Sequence, residues 1–128
     1  MGKKREERSL QETVLVIDDD ADIRNVLRYV LEDEGYLVRE AADGIAGLAS
    51  VEAFRPQLIL LDLNMPGLDG WGMCAQMDMR KTSVPTVIMT AGRSSATEAT
   101  RLGVAGSLAK PFEIADVLAT VLRLAVTT

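Results

Sequence analysis

The chain has 128 residues, 48% hydrophobic and 26% charged, which suits one globular domain and excludes both wholesale disorder and a membrane protein. Lys and Arg number 14 against 19 Asp and Glu, and with a net charge of -5 and only one Trp, two Tyr and two Phe, nucleic-acid binding by this chain alone is excluded as its task. The absence of histidine removes Ser-His-Asp triads, histidine metal sites and histidine phosphocarriers, and the single Cys74 removes an internal disulfide or Cys-rich zinc site and fits a reducing compartment.

The opening MGKKREERSLQET is polar, without the apolar stretch of a secretory signal and without Ser or Thr at position 6 for myristoylation. It predicts a flexible polar leader over residues 1–12 and one domain over 13–126, soluble, cytoplasmic and without a membrane segment. The first strand is expected at Val14-Leu15-Val16-Ile17, followed by a helix whose stripe is Ile23, Val26, Leu27, Val30 and Leu31, stopped by Gly35. Tyr36-Leu37-Val38 is the second strand, and a weaker helix around Ile45 to Phe54 ends before Pro56. Leu58-Ile59-Leu60-Leu61 is the third strand. The helix after it, near Trp71 to Arg80, contains Gly72 and is poor on propensity.

Thr86-Val87-Ile88-Met89 is the fourth strand. Arg93 to Leu102 follows, rich in Ser, Thr and Ala, with Leu102 its one large apolar residue, so a short or mobile helix is expected. Ser107-Leu108-Ala109 is the fifth strand, and Ile114, Val117, Leu118, Val121, Leu122 and Ala125 stripe the last helix. Nearly continuous apolar runs alternating with helices predict an α/β fold: five βα units in one open, mostly parallel sheet covered on both faces.

Ligands of such sheets sit beyond the carboxyl ends of the strands. Those ends carry Asp18, Asp19, Asp20 and Asp22 after the first strand, and Asp62 with Asn64-Met65-Pro66-Gly67 after the third. Thr90, Ala91 and Gly92 follow the fourth, and Lys110 and Pro111 the fifth. Singly each has a plain structural reading: a turn with Asp20 capping a helix, turn chemistry at Asp62 and Asp69-Gly70, a β-branched strand residue, a surface lysine. Together they do not, because carboxylates brought to adjacent strand ends repel. A hard divalent cation with oxygen ligands relieves that repulsion, and a remaining carboxylate could attack a phosphoryl group while Lys110 and Thr90 meet its oxygens.

The segments VLVIDDDADIR, LILLDLNMPGLDG, VIMTA and LAKPF, in this order, resemble the receiver domains of two-component response regulators from about Thr13 to Ala125. The resemblance implies a flavodoxin-like, doubly wound three-layer fold with strand order 2-1-3-4-5, as in the chemotaxis receiver. It implies Asp62 as phosphoacceptor, Mg²⁺ (or Mn²⁺) as cofactor on Asp19, Asp62 and the Asn64 backbone carbonyl, and Asp18 acting through metal-bound water. Thr90 would be the switch hydroxyl, and the Ala91 amide and Lys110 would bind phosphoryl oxygens, with a cis bond before Pro111 aiming Lys110 inward.

The implied donor is a phosphohistidine on a sensor histidine kinase or phosphotransfer protein. The implied outcome is slow self-dephosphorylation and a changed surface of fourth helix, fifth strand and fifth helix for an output protein, with room for a homodimer.

Three departures from the family pattern stand out. Ser107 takes the place of the usual aromatic switch, the stretch between Thr90 and Gly103 is about two residues short, and Gly92 offers no side chain to position water. Two rival readings stay open: a receiver-like binding module that works unphosphorylated, and a haloacid-dehalogenase-type phosphatase with its nucleophile among Asp18-Asp19-Asp20. Flavin binding is discarded, since acid after the first strand would repel the flavin phosphate. No output domain is expected after Ala125, which leaves a free-standing receiver and a piece of a longer regulator both open.

Overall fold

A computed structural model describes residues 11–92 and 95–126. Its elements run β1 (Thr13–Ile17), α1 (Ala21–Asp33), β2 (Leu37–Ala41), α2 (Gly44–Phe54), β3 (Leu58–Asp62), α3 (Gly70–Met79), β4 (Thr86–Ala91), α4 (Ser95–Leu102), β5 (Gly106–Lys110) and α5 (Ile114–Leu124). All strand pairs are parallel, in the order β2-β1-β3-β4-β5 that the family resemblance implies. Among the described residues no helix is long and apolar enough to cross a membrane.

Successive strand residues point to opposite faces, and this alternation sorts the core into two layers. Val14 and Val16, Leu58 and Leu60, Val87 and Met89, and Leu108 pack with Leu27 and Leu31 of α1 and Val117 and Val121 of α5. Leu15, Ile17, Ile59 and Leu61 turn the other way, onto Leu48 and Val51 of α2 and Met73 and Met77 of α3. Ile88, Leu63 and Ala99 form a smaller cluster beneath α4. Burying each such Leu, Ile or Met side chain contributes roughly 1.5–3 kcal/mol.

Local chemistry fixes the helix ends. Asp20 caps α1, its side chain accepting from the amides of Asp22 and Ile23 at 2.9 and 3.4 Å. Asp69, which in sequence reads as turn chemistry with Gly70, is the N-cap of α3 and accepts from the Gly72 amide at 2.8 Å. Gly35 ends α1 at φ +93°, and the amides of Gly35 and Tyr36 close back on the carbonyls of Glu32 and Leu31.

Several sequence expectations shift. Tyr36 belongs to the cap of α1 and is not in β2, which instead runs on to Ala41. Arg39 and Glu40 disguise this edge strand because its polar residues have partners: Arg39 stands over the Phe54 ring and Glu40 pairs with two arginines. Ile114 and Leu122 of α5, and Val26 of α1, are 40%, 61% and 48% exposed, because the sheet covers a narrower arc than the sequence stripe spans. Gln11 and Glu12, assigned to the leader, contact the chain around β2: the Gln11 side chain donates to the Gly35 carbonyl and the Glu12 carbonyl accepts from Leu37. The fourth helix covers Ser95–Leu102; positions 93 and 94, expected in it, and residues 1–10 lie outside the described residues.

The first residue of α3, Gly70, has a packing reason to be glycine. A Cβ on Gly70 would come within 2.7 Å of the Asp62 carbonyl oxygen and of the Leu63 Cα, so only glycine lets α3 start this close to the end of β3. Gly70→Ala is therefore expected to cost about 1–3 kcal/mol, read as a lower urea midpoint with an unchanged slope. An unchanged midpoint would contradict this packing account.

Candidate functional site at the carboxyl edge of the sheet

Three apolar stripes on the α1–α5 face end in a charge. Asp18 continues Val14 and Val16, Asp62 continues Leu58 and Leu60, and Lys110 continues Leu108, so the two-residue period brings all three to one side of the sheet edge. Lys110 Nζ lies 2.8 Å from Asp18 Oδ2 and 3.4 Å from Asp62 Oδ1, joining the ends of β1, β3 and β5. Asp18 is fully buried and Asp62 is 4% exposed, whereas Asp19, Asp20 and Asp22 are exposed. The acidic run is thus not one solvated turn, since its first member points into the protein.

Backbone donors meet these carboxylates. Asp18 Oδ1 accepts from the Asp20 amide at 2.9 Å and Asp62 Oδ1 from the Asn64 amide at 3.3 Å. Burial first, and the Asp18 charge second, push the Asp62 carboxyl above the ordinary carboxylate value, against the opposing pull of Lys110 and the Asn64 amide. Burial would lower the Lys110 ammonium, but the hydrogen bond and charge of Asp18, with the charge of Asp62, outweigh it and leave the group raised. Lys110 therefore stays a cation among acids.

Asp18, Asp19 and Asp62 each offer an oxygen, and these oxygens lie within 4.8 Å of one another. Three hard carboxylate oxygen donors gathered this closely fit the preferences of a small divalent cation such as Mg²⁺. The donor set suits no soft metal, with Cys74 buried among α3 packing and its thiol pushed up to about 11 by burial and by Asp78.

The remaining expected residues lie close by or apart. Thr90 is buried near the end of β4, with its Oγ1 3.5 Å from the Ala91 carbonyl, and Ala91 pairs in register with Lys110. Asn64 follows Asp62 by two residues and is exposed. Ser107 does not join the cluster. It pairs with Ile88, on the face turned to α4. The aromatic ring packed on that cluster comes from α3 instead: Trp71, whose indole N–H donates to Glu98 of α4 at 2.8 Å.

One contact at this edge was not visible in the sequence. Arg24, one turn into α1, donates from Nη1 to the Asp18 carbonyl at 2.7 Å and from Nε to Glu40 at 3.0 Å. The signal available was only its position four residues after the capping Asp20. Its partner Glu40 lies on a strand whose neighbour is known only once the sheet order is known.

The model for the response regulator receiver domain matches residues 14–122. The chain is similar to sporulation initiation phosphotransferase F of Bacillus subtilis (strain 168), 36% identical over 110 residues that cover 84% of this chain and 89% of that protein. It is also similar to the DNA-binding dual master transcriptional regulator RpaA of Synechocystis sp. (strain ATCC 27184 / PCC 6803 / Kazusa), 37% identical over 112 residues. There the match covers 84% of this chain but 46% of the relative, so the chain spans about half the length of that regulator.

Among solved structures, the chemotaxis response regulator CheY4 of Vibrio cholerae superposes with a TM-score of 0.82 at 31% identity, covering 90% of this chain and 99% of that one. The receiver domain of Francisella response regulator 1452 gives 0.84 at 27% identity, covering 90% and 97%. With the strand order observed and the acids gathered at its carboxyl edge, the phosphatase alternative is set aside: the chain belongs to the response regulator receiver domain family.

Proposed function

We propose that the chain accepts a phosphoryl group on Asp62, in a reaction that requires a divalent cation, and passes the change to a partner protein through the surface around α4. The observation that carries this reading is the convergence of Asp18, Asp19 and Asp62 with Lys110 at one sheet edge. Asp19, Asp62 and the Asn64 carbonyl would hold Mg²⁺ or Mn²⁺ directly and Asp18 through water. When bound, the cation would neutralise charge on the transferring group.

The donor is a phosphohistidine on a sensor histidine kinase or phosphotransfer protein, since this chain has no histidine of its own. A carboxylate oxygen of Asp62 attacks phosphorus, the P–N bond breaks, and the imidazole leaves with the electron pair, giving an acyl phosphate. Lys110 already lies beside Asp62 and needs only a short shift to a phosphoryl oxygen. The Thr90 hydroxyl and Ala91 amide, at the end of the next strand, donate to the others. Water attack at phosphorus returns the carboxylate and inorganic phosphate. The DNA binding in the name of the Synechocystis relative is said of that protein, of which this chain spans about half; this domain works as a cytoplasmic signalling module whose output is a partner protein or a further part of a longer regulator.

The α4 face is the readout. Ser107 cannot supply the aromatic partner of a threonine switch, so the motion of Thr90 would reach α4 through Ile88 and the Trp71–Glu98 contact. This altered face also favours a second reading, a binding module that needs no phosphorylation.

Incubation with acetyl phosphate and Mg²⁺ separates the two. Intact mass should show one added phosphoryl group on the wild type and none on Asp62→Asn or in chelator; no gain on the wild type would contradict the proposed function. Beryllofluoride with Mg²⁺ should shift the fluorescence of Trp71, the sole tryptophan, and amide resonances between residues 91 and 110. Unchanged signals would contradict readout through α4.

Saturation with Mg²⁺ at a hundredfold excess over its dissociation constant should stabilise the wild type by about 2.7 kcal/mol. In chelator, the raised Asp62 carboxyl means the folded chain binds that proton more tightly than the unfolded chain. Its favourable effect is complete below the ordinary value and is lost as pH rises through the raised one. The melting temperature of Asp62→Asn relative to wild type should therefore climb by a few degrees from about pH 4 towards neutrality. A difference that stayed flat or fell with pH would contradict the assignment.

A further inference from the structure

The Asp18 carbonyl belongs to the peptide that joins Asp18 to Asp19, and the two flanking carboxylates both converge with that of Asp62. That peptide is gripped by a side chain from outside the cluster. Arg24 Nη1 donates to the carbonyl at 2.7 Å, and Arg24 Nε is held at 3.0 Å by Glu40 of β2. The arginine side chain is 19% exposed and Glu40 22%. On the other side of Asp18, its amide donates to the Ala41 carbonyl at 3.1 Å.

We infer that Arg24, oriented by Glu40, is a positioning residue for the cation pocket: its planar fork fixes the Asp18–Asp19 peptide so that one carboxylate turns inward and the next stays in reach of the same ion. The inference rests on the proposed reading of that pocket as a cation site. A guanidinium presents several donors in fixed geometry and so can hold a carbonyl and a carboxylate at once, which an ammonium does less well. Without the grip, the peptide can rotate about its flanking bonds and carry the Asp19 oxygens away from Asp62.

Charge and geometry predict opposite signs here. A guanidinium near a cation site opposes binding by Coulomb repulsion, so deleting it for its charge alone would tighten binding. Deleting it as a positioning group weakens binding. Arg28 supplies the control, because it also pairs with Glu40 but its other bonds go to Glu32 and the Val38 carbonyl, away from the cluster.

The test is titration of the intact chain with Mn²⁺, following the electron paramagnetic resonance signal of the free ion. Arg24→Gln should weaken Mn²⁺ binding about tenfold, in the range expected when an outer partner of a ligand is lost. Arg24→Lys should weaken it in the same direction, and Arg28→Gln should leave it within about twofold of wild type. Wild-type or tighter affinity in the Arg24 variants, or an equal loss in Arg28→Gln, overturns the inference while leaving the pocket standing. Absence of binding by the wild type, or undiminished binding by Asp62→Asn, overturns the cation pocket itself and the inference with it.

Discussion

A lysine ammonium held between two carboxylates ties this molecule together. Asp18 and Asp62 end adjacent strands with almost no access to water, and two such charges side by side would be destabilising if nothing compensated them. Lys110 reaches them from β5, past the end of β4, and makes the opposed acids compatible with a folded state. The compensation is incomplete, since three carboxylates converge near one ammonium. That residual negative charge is what the proposed divalent cation would compensate before a phosphoryl group arrives.

The hydrophobic core decides where this charge can sit. The stripes that fill the α1–α5 layer run out at the sheet edge, and the next residue of the same parity on β1, β3 and β5 is Asp18, Asp62 or Lys110. Packing that fixes strand register therefore also fixes these three charged groups, within the tolerance of a side-chain rotamer. On the proposed reading the opposite face has a different task. Thr90, Ile88 and Ser107 look towards α4, where the buried residues are the small Ser95 and Ala99, and the Trp71–Glu98 contact links α3 to it. A helix that buries so little large apolar surface can change position at small cost, which suits a readout element.

The central strands were legible because both faces are covered: Val14 to Ile17, Leu58 to Leu61 and Thr86 to Met89 are apolar at every position but Thr86. The edge strand β2 was misread because half of it faces solvent or ion pairs, so Arg39 and Glu40 looked like loop. Gly70, at the start of α3, answers to a close approach to the end of β3 that only the fold reveals. The acids and the lysine could be found as strand-end residues. Which aspartate in the run DDD is buried could not, because burial depends on strand parity at the last residue. The part of Arg24 was illegible for a related reason: it acts across α1 and β2, elements whose adjacency is a property of the sheet order and not of local pattern.

The dependence of the pocket on its ammonium can be measured on Lys110→Met, an unbranched substitution of similar length without the charge. Thermal melts in chelator and in saturating Mg²⁺ give the stability of each state. The account predicts that the variant melts below the wild type in chelator and gains more from Mg²⁺ than the wild type does, because the cation then supplies compensation the lysine no longer provides. A variant as stable as wild type in chelator, with an equal or smaller gain from Mg²⁺, would contradict the account.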